Sequence, residues 1–434
     1  MKKAKKKRVF LGPCEVAGYC SNLNFGFKEI KQDVSFIDLW DHPFDYGGND
    51  NGLLENILRK FKKAYCKNTK KQLLKKLVFG FLNILFSLIY FIKAVFSYDV
   101  FIFIFGYSLL PNNIDLPVLK FFRKKIIFNI ALGSEARPPY MNGVYQNKDG
   151  SGGLDLKVLE KLTRKIKKRV SGIEAWSDIV IGSPFSSSQF TTKKFVNYFD
   201  LGFPRKVTEV PAAGAENNAC IILHSPSHPA AKGSFEIIEA VENLKQRGYE
   251  IEFILLKDKT NKEVLEELSK CDFVVDQLYS DTPLAGFACE AAVFGKAAVV
   301  GGYALKEFQK YIHSSMMPPS VFCKPDELLN TIELMITDKE LRKSAGKASS
   351  EFINVKWSAA AVAGRYQDLL FDEIKEEMFV DPLNIEYLYG VGQSQERTKE
   401  IVASMVKTYG KSSLQLDHNP VLRDKLLKFA GMSD

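Results

Sequence analysis

The sequence alternates short apolar segments with amphipathic segments, and this alternation runs through the chain twice. The apolar segments are nearly continuous in Val, Ile, Leu and Phe, as in parallel strands that helices cover on both faces. The first series lies at 8–12, 33–39, 98–106, 124–132 and 177–183, and the second at 220–224, 250–256, 271–278 and 296–302. The pattern predicts an α/β protein with two doubly wound, Rossmann-like parallel sheets that face a cleft.

Chain length and turn-rich segments set the expected domain boundaries. With 434 residues, the chain is longer than one ordinary core requires. Helical patterns at 394–410 and 418–431 follow the last predicted strand and carry no evident chemistry. We expect an N-terminal domain over 1–210, a linker over 211–219, a C-terminal domain over 220–356, a returning helix over 357–378 and a helical tail over 379–434.

The cysteines and the N-terminus bear on the compartment. The seven cysteines are odd in number, dispersed and never spaced as C-x-x-C, which indicates reduced thiols rather than disulfides or a zinc site. The basic N-terminus has an apolar run that breaks at Gly12, too early for a signal peptide. We therefore expect a cytoplasmic location.

A second feature that limits the possible structures is the uncharged segment at 77–92, which follows a cluster of lysines between Lys60 and Lys76. Its small or polar positions recur every three or four residues, which leaves a broad face of Phe, Leu and Ile on a helix. We expect a membrane-surface helix over about 71–96, with lysines at anionic headgroups of the inner face. The alternative is a helix buried against a sheet. Nucleic acid is disfavoured because the aromatic and basic residues are segregated.

The turn after the strand at 220–224 has the composition of a phosphate site. His224, Ser225, Ser227 and Lys232 lie between this strand and the next helix. A strand that leads into a helix directs backbone N–H groups and the positive end of the helix dipole at a bound anion. A metal site at His224 and His228 is disfavoured because prolines interrupt any helix there.

The segment 276–300 has the same organisation and places Glu290 in a helix after a buried strand. A carboxylate there can accept hydrogen bonds from the vicinal hydroxyls of a ribose, as in dinucleotide folds. The alternative is a glutamate that only caps or pairs locally.

Together, HSPSHPAAKGS (224–234) and AGFACEAAVFGKAAVV (285–300) resemble the C-terminal half of GT-B glycosyltransferases, in particular glycosyltransferase family 4. The segment 98–137 is similar to the acceptor-side half of bacterial members that assemble polysaccharides and glycoconjugates. The resemblance covers roughly residues 8 to 375. It implies a sugar donor, either a UDP-sugar or a GDP-sugar, and no further cofactor.

The resemblance also implies roles for individual residues. Lys232 would contact the donor diphosphate, Glu290 would hold the ribose, and Gly286 and Phe287 would lie where backbone amides approach phosphate. His224, Ser225 and Ser227 would line the donor site, and the loop from Gly12 to Gly18 would face it across the cleft. Glu135 and Arg137 match a family segment near the transferred sugar, so the predicted catalytic residues are Lys232, Glu135 and Arg137.

Three positions depart from the family pattern. Leu132 stands where members often have histidine, Pro229 where they commonly have arginine, and Thr282 where they have the first of two paired glutamates, with Asp281 beside it. The chain also lacks a D-x-D triplet, the usual metal-binding motif for a leaving nucleotide. A retaining, metal-independent reaction is implied. If the enzyme instead inverts configuration, Glu135 or Asp41 becomes the candidate base.

We therefore expect a glycosyltransferase that moves a sugar from a nucleotide donor to a lipid-linked or growing glycan acceptor at the inner membrane face. One alternative is a catalytically silent adaptor with the same fold. The other is a nucleotide-sugar epimerase, which the scarcity of histidines disfavours.

Overall fold

The computed structural model describes residues 7–40, 49–67, 72–206, 219–257 and 259–432. It contains one seven-stranded and one five-stranded sheet, and all pairs but one within them are parallel. The predicted fold class is confirmed. Asp41 and most of the linker expected over 211–219 lie outside the described residues, as do the first six residues of the chain.

The strands, in chain order, are β1 Val9–Gly12, β2 Val34–Phe36, β3 Val100–Ile104, β4 Lys125–Asn129, β5 Ile179–Gly182, β6 Phe195–Asn197, β7 Cys220–His224, β8 Ile251–Leu255, β9 Phe273–Val275, β10 Ala297–Gly301, β11 Val321–Cys323 and β12 Phe379–Val380.

The α-helices are α1 Tyr19–Glu29, α2 Leu53–Lys67, α3 Leu73–Ser97, α4 Leu116–Phe121, α5 Leu156–Trp176, α6 Tyr198–Leu201, α7 Pro229–Lys232, α8 Ser234–Gln246, α9 Asn261–Lys270, α10 Gly286–Val293, α11 Leu305–Tyr311, α12 Leu328–Thr337, α13 Lys339–Val355, α14 Ala359–Phe371, α15 Gln395–Tyr409 and α16 Pro420–Phe429.

Both sheets have the strand order of a doubly wound fold. The N-terminal sheet runs β12-β6-β5-β4-β3-β1-β2, and the C-terminal sheet runs β11-β10-β9-β7-β8. In each sheet the order reverses beside the first strand, at β1/β3 and at β7/β9. Ligands of such sheets bind outside the carboxyl ends of the strands near this reversal. The turns after β1, β7 and β9 are therefore the places to examine for a site.

The apolar segment predicted at 77–92 lies within the longer helix α3. Its small and polar stripe faces the protein, since Ser87, Tyr90 and Ala94 are buried and Gly80 packs beside Tyr65 of α2. The opposite face is exposed and apolar: Leu74, Leu77, Phe81, Ile84, Ile92 and Phe96 are each more than half exposed. By length and composition α3 could cross a membrane, although 28% of its most apolar window is buried inside the protein.

The C-terminal segment connects the two halves of the molecule. α14 packs on α1 so closely that a Cβ at Gly26 would lie 1.9 Å from the carbonyl oxygen of Ala359. Farther along, Val391 N–H donates to Met141 O at 2.8 Å, and Gly392 N–H donates to Tyr279 O at 2.8 Å. Consecutive residues of this segment therefore bond to a loop beyond the N-terminal sheet and to a loop beyond the C-terminal sheet.

Candidate active site

The turn after β7 carries Lys232 and is held by local capping. Nδ1 of His228 accepts from the Ala231 N–H at 3.2 Å, and Pro229 is the first residue of α7. Gly233, with φ of 69°, separates α7 from α8, and a Cβ there would approach Cβ of Leu278 to 2.5 Å. The sequence thus folds Lys232 back over the carboxyl edge of the C-terminal sheet.

His224 is a structural part of this turn. It is fully buried, Nδ1 lies 2.7 Å from Val275 O, and Nε2 lies 2.8 Å from the Ser234 hydroxyl. A carbonyl can only accept, so Nδ1 carries the proton and Nε2 accepts from Ser234. Burial lowers the pKa of His224 to about 4, so the ring is neutral near pH 7. Both ring nitrogens are occupied, and the contribution of His224 to a donor site would be to hold the turn.

Lys232 lies at the carboxyl end of β9. Its Nζ donates to Oε1 of Gln277 at 2.5 Å and lies 4.0 Å from Oδ1 of Asp276. Asp276 is buried, and its Oδ2 has no partner among the described residues. Burial raises the pKa of Asp276, while the Lys232 charge and the Ala288 N–H lower it. Ala288 lies in the first turn of α10. Asp276 therefore interacts with both Lys232 and the N-terminus of α10, which lie close to each other.

The start of α10 presents N–H groups without a side-chain cap, beginning at Gly286. Glu290, one turn later, is held by two residues: Asn261 Nδ2 donates to its Oε1 at 3.0 Å, and Arg205 Nη1 lies 3.7 Å away. Burial raises the pKa of Glu290, and the Arg205 charge opposes the shift. Phe287 is half-buried. No sequence signal indicated Arg205, because it comes from a turn far from Glu290 in the chain.

The remaining predicted donor residues lie at the rim. Ser225 is half-buried and Ser227 exposed in the turn after β7. Gly18 precedes α1 with φ of 74°, in the half of the molecule that β1 belongs to. Lys232, Gly286 and Glu290 thus share one edge of the C-terminal sheet, and Gly18 belongs to the N-terminal half, which forms the opposite wall of the candidate site.

That opposite wall contains a carboxylate which the sequence analysis missed. Glu15 accepts from the N–H groups of Val16 at 2.7 Å, Cys20 at 3.1 Å and Ser21 at 2.8 Å. It therefore occupies the N-terminus of α1, where an anionic ligand would otherwise bind. Burial raises the pKa of Glu15 to about 7, against the lowering effect of these backbone hydrogen bonds. The sequence signal that could have identified Glu15 is a glutamate shortly before a helix.

Glu135 is buried beyond β4. Its Oε1 accepts from the Leu132 N–H at 2.8 Å, and its Oε2 has no partner among the described residues. Burial raises the pKa of Glu135, and the nearby Arg137 charge partly opposes this. A carboxylate with a raised pKa and one unused oxygen can hold or accept a proton.

Arg137 crosses from the N-terminal half to the C-terminal half of the molecule. Its Nη2 donates to both carboxylate oxygens of Asp281, at 2.9 and 3.1 Å, and its Nε donates to the Ser186 hydroxyl at 2.7 Å. Ser186 also donates to Asp281. The side chains of Arg137 and Asp281 are 16% and 4% exposed. Arg137, a predicted catalytic residue, is thus paired with Asp281, the carboxylate beside the altered family position Thr282.

No group of three or more His, Cys, Asp or Glu side chains suited to a metal ion occurs within the described ranges. Lys232, Arg137 and Arg205 each bring a positive charge to the turn after β9 or to α10, where they lie beside Asp276, Asp281 and Glu290 respectively.

These features define an α/β protein with two doubly wound sheets. Its candidate site lies at the carboxyl edge of the second sheet, where paired cations and carboxylates meet the start of α10. No protein-family model matches the sequence, and no curated protein sequence matches it.

Among solved structures, one similar fold is Anabaena Alr3699/HepE in complex with UDP and glucose, with a TM-score of 0.46 and 13% identity over 85% of this chain and 100% of that one. Acinetobacter baumannii MurG has a TM-score of 0.38 and 11% identity over 84% of this chain and 99% of MurG. A variant of S. aureus TarM in complex with fondaparinux, alpha-GlcNAc-glycerol and UDP has a TM-score of 0.42 and 14% identity, over 66% of this chain.

The chain spans only 58% of the TarM chain. At these identities and TM-scores, the likenesses decide nothing about the activity of this chain.

Proposed function

We propose that the protein is a glycosyltransferase of the hexosyltransferase type that uses a UDP-sugar or GDP-sugar donor and is related to family 4. The observation that carries the proposal is the convergence of Lys232, the uncapped N-terminus of α10 and Glu290 at one edge of the C-terminal sheet. A cation suits a diphosphate, and so do the N–H groups at the start of a helix, of which that of Ala288 already interacts with Asp276. A carboxylate one turn further suits a ribose.

In the proposed reaction, the bond between the sugar C1 and the phosphate oxygen breaks, and an acceptor hydroxyl oxygen bonds to C1. Lys232 and the α10 N-terminus stabilise the charge that develops on the leaving diphosphate. With retention of configuration, the departing phosphate takes the hydroxyl proton and Glu135 positions the sugar or acceptor. With inversion, the unpartnered Oε2 of Glu135 takes that proton. We propose the retaining, metal-independent course, which the family resemblance implies.

A screen of nucleotide sugars for diphosphate release tests this activity. The expected result is slow hydrolysis of at least one UDP-sugar or GDP-sugar, which Lys232→Ala abolishes. Lys262→Ala is the matched control, because Lys262 is 87% exposed on α9 and pairs with its helix neighbour Glu266. Hydrolysis that Lys232→Ala leaves unchanged would contradict the assignment of Lys232.

The second candidate is a catalytically silent adaptor, and the Arg137–Asp281 pair is the observation that favours it. A cation engaged by a buried carboxylate is not available to a leaving group unless the pair separates. Wild-type protein that binds a nucleotide but hydrolyses none of the donors would favour the adaptor.

We further propose that the protein works at the cytoplasmic membrane face, as a peripheral protein with a lipid-linked or growing glycan as acceptor. The support is the exposed apolar face of α3, beside the basic helix α2. α3 would lie in the plane of the bilayer surface, because its C-terminal half contributes Tyr90, Ala94 and Val95 to the protein core.

Liposome flotation tests this location. We expect binding to vesicles with anionic lipids at low salt, weaker binding to zwitterionic vesicles, and loss of binding in Phe81→Asp. Val421→Asp is the matched control, because Val421 is also an exposed apolar residue (63%) but lies on α16. Protein that does not float with anionic vesicles would contradict the proposal.

A further inference from the structure

A cavity of about 430 Å³ opens where four separate parts of the chain meet. Its walls come from the loop at 146–151 beyond β4, from α7 and the first turn of α8, from Tyr279 in the loop after β9, and from the start of α15 with the residues before it. None of the predicted donor residues lines it. Its volume lies within the range of small-molecule sites.

The C-terminal segment completes this cavity. Gln146 Nε2 donates to Gly392 O at 2.7 Å, and Arg397 Nη2 donates to Gly152 O at 3.0 Å. Gly392 has φ of 67°, and a Cβ there would lie 3.0 Å from Ala231 O, so the segment passes close to α7. The walls are therefore fixed to one another by hydrogen bonds between parts distant in sequence.

The cavity wall combines three kinds of group. Phe235 is 49% exposed and supplies an apolar ring. Two carboxylates face the same space, from Asp149 and from Glu236, whose Oε1 accepts from the Tyr279 hydroxyl at 3.0 Å. Arg397 supplies donors: its Nε is buried without a hydrogen-bond partner, and no carboxylate within the described ranges lies at ion-pair distance from it.

These groups select among ligand classes. Two carboxylates beside one guanidinium disfavour a phosphate or other anion, and the polar lining disfavours a purely apolar ligand. A neutral sugar has hydroxyl hydrogens for the carboxylates, hydroxyl oxygens for the guanidinium, and C–H groups that pack on an aromatic ring.

We propose that this cavity binds a neutral saccharide unit of the acceptor glycan. That the saccharide belongs to an acceptor rests on the proposed transferase function. That the cavity binds a saccharide does not depend on it. Ala230 lines the cavity and lies two residues before Lys232 on the same short helix, so the saccharide would lie next to the proposed donor site.

Saturation-transfer NMR with neutral disaccharides tests the proposal on the full-length protein, with maltose, cellobiose, lactose and chitobiose as probes. We expect at least one to bind with millimolar affinity, and Phe235→Ala to weaken that binding about tenfold. Asp149→Asn keeps the shape of an exposed side chain and should also weaken it about tenfold. Glu239→Gln, exposed on α8 outside the cavity, is the matched control and should leave binding unchanged.

The same samples are titrated with UDP and GDP, so that the two proposals fail separately. Disaccharide binding that depends on Phe235 and Asp149 supports the cavity proposal, whether or not a nucleotide binds. Absence of binding by all four disaccharides overturns it, and so does binding that both variants leave unchanged. Disaccharide binding without any nucleotide binding would leave the saccharide site in place and remove the transferase.

Discussion

The ion pair between Arg137 and Asp281 is predicted to hold the two halves of the molecule together. Removal of one partner from a buried pair typically costs 3–5 kcal/mol, because the other charge stays buried. Arg137 keeps 16% exposure and its Ser186 contact, so Asp281→Ala should lower the free energy of unfolding by about 3 kcal/mol, at the low end of this range. Asp281→Asn keeps an acceptor oxygen and should cost about half as much.

A double-mutant cycle measures the pair directly. Arg137→Ala, Asp281→Ala and the double variant are compared in urea unfolding, with a probe in each half of the molecule because a two-domain chain need not unfold in one step. We expect a coupling energy of roughly 2 kcal/mol between the two sites. Ser320→Ala on the C-terminal side is a control, because its hydroxyl bonds only within that half, to Pro283 O. Additive effects, with coupling below about 0.5 kcal/mol, would refute the reasoning.

Three further predictions concern pH and donor access. Burial lowers the pKa of His224 from 6.5 to about 4, so the free energy of unfolding should fall by up to about 3 kcal/mol as pH drops from 6.5 toward 4. Thermal melts of His224→Gln should not show this loss. The same pH dependence in the variant and the wild type would contradict the prediction. Burial raises the pKa of Glu15 from 4.5 to about 7, so stability present below pH 4.5 is lost as pH rises through 7. In the same melts, the stability of Glu15→Gln relative to the wild type should therefore increase by roughly 2 kcal/mol between pH 5 and 8. A stability difference that does not change with pH would count against the burial of this carboxylate. Asp281→Asn should bind UDP several-fold more tightly than the wild type in calorimetry, because less energy is needed to separate Arg137 from its partner; unchanged affinity would mean that Arg137 does not reach the donor.

The elements that local signals define were predictable from the sequence. Thr260 and Glu263, whose spacing in the sequence is that of a capping box, start α9, and Asn419 with Pro420 starts α16. The buried strand β3 follows from its unbroken apolar run. By contrast, β6, β11 and β12 contain two or three residues each, too few for a periodic pattern, and they exist because neighbouring strands supply hydrogen bonds.

The grouping of Lys232, Gly286 and Glu290 could be inferred from the sequence because these residues follow β7 and β9, which are neighbouring strands of one sheet. The ion pairs at the candidate site could not be predicted from the sequence. Arg205 with Glu290 and Arg137 with Asp281 each join residues from separate halves of the molecule. The small and polar stripe on α3 was visible in the sequence, and the structure shows that it faces the protein. The C-terminal segment was expected to be a tail without chemistry, yet it lines a cavity through Arg397, which only the packing of distant segments could place there.

Calorimetric titration with UDP and GDP tests the central claim most directly, because the account requires a nucleotide diphosphate at Lys232. We expect one nucleotide to bind the wild type, Lys232→Ala to weaken this binding by roughly tenfold to a hundredfold, as loss of a charge-assisted hydrogen bond predicts, and Lys262→Ala to bind like the wild type. No binding of either nucleotide by the wild type, or equal affinity in Lys232→Ala, would contradict the account.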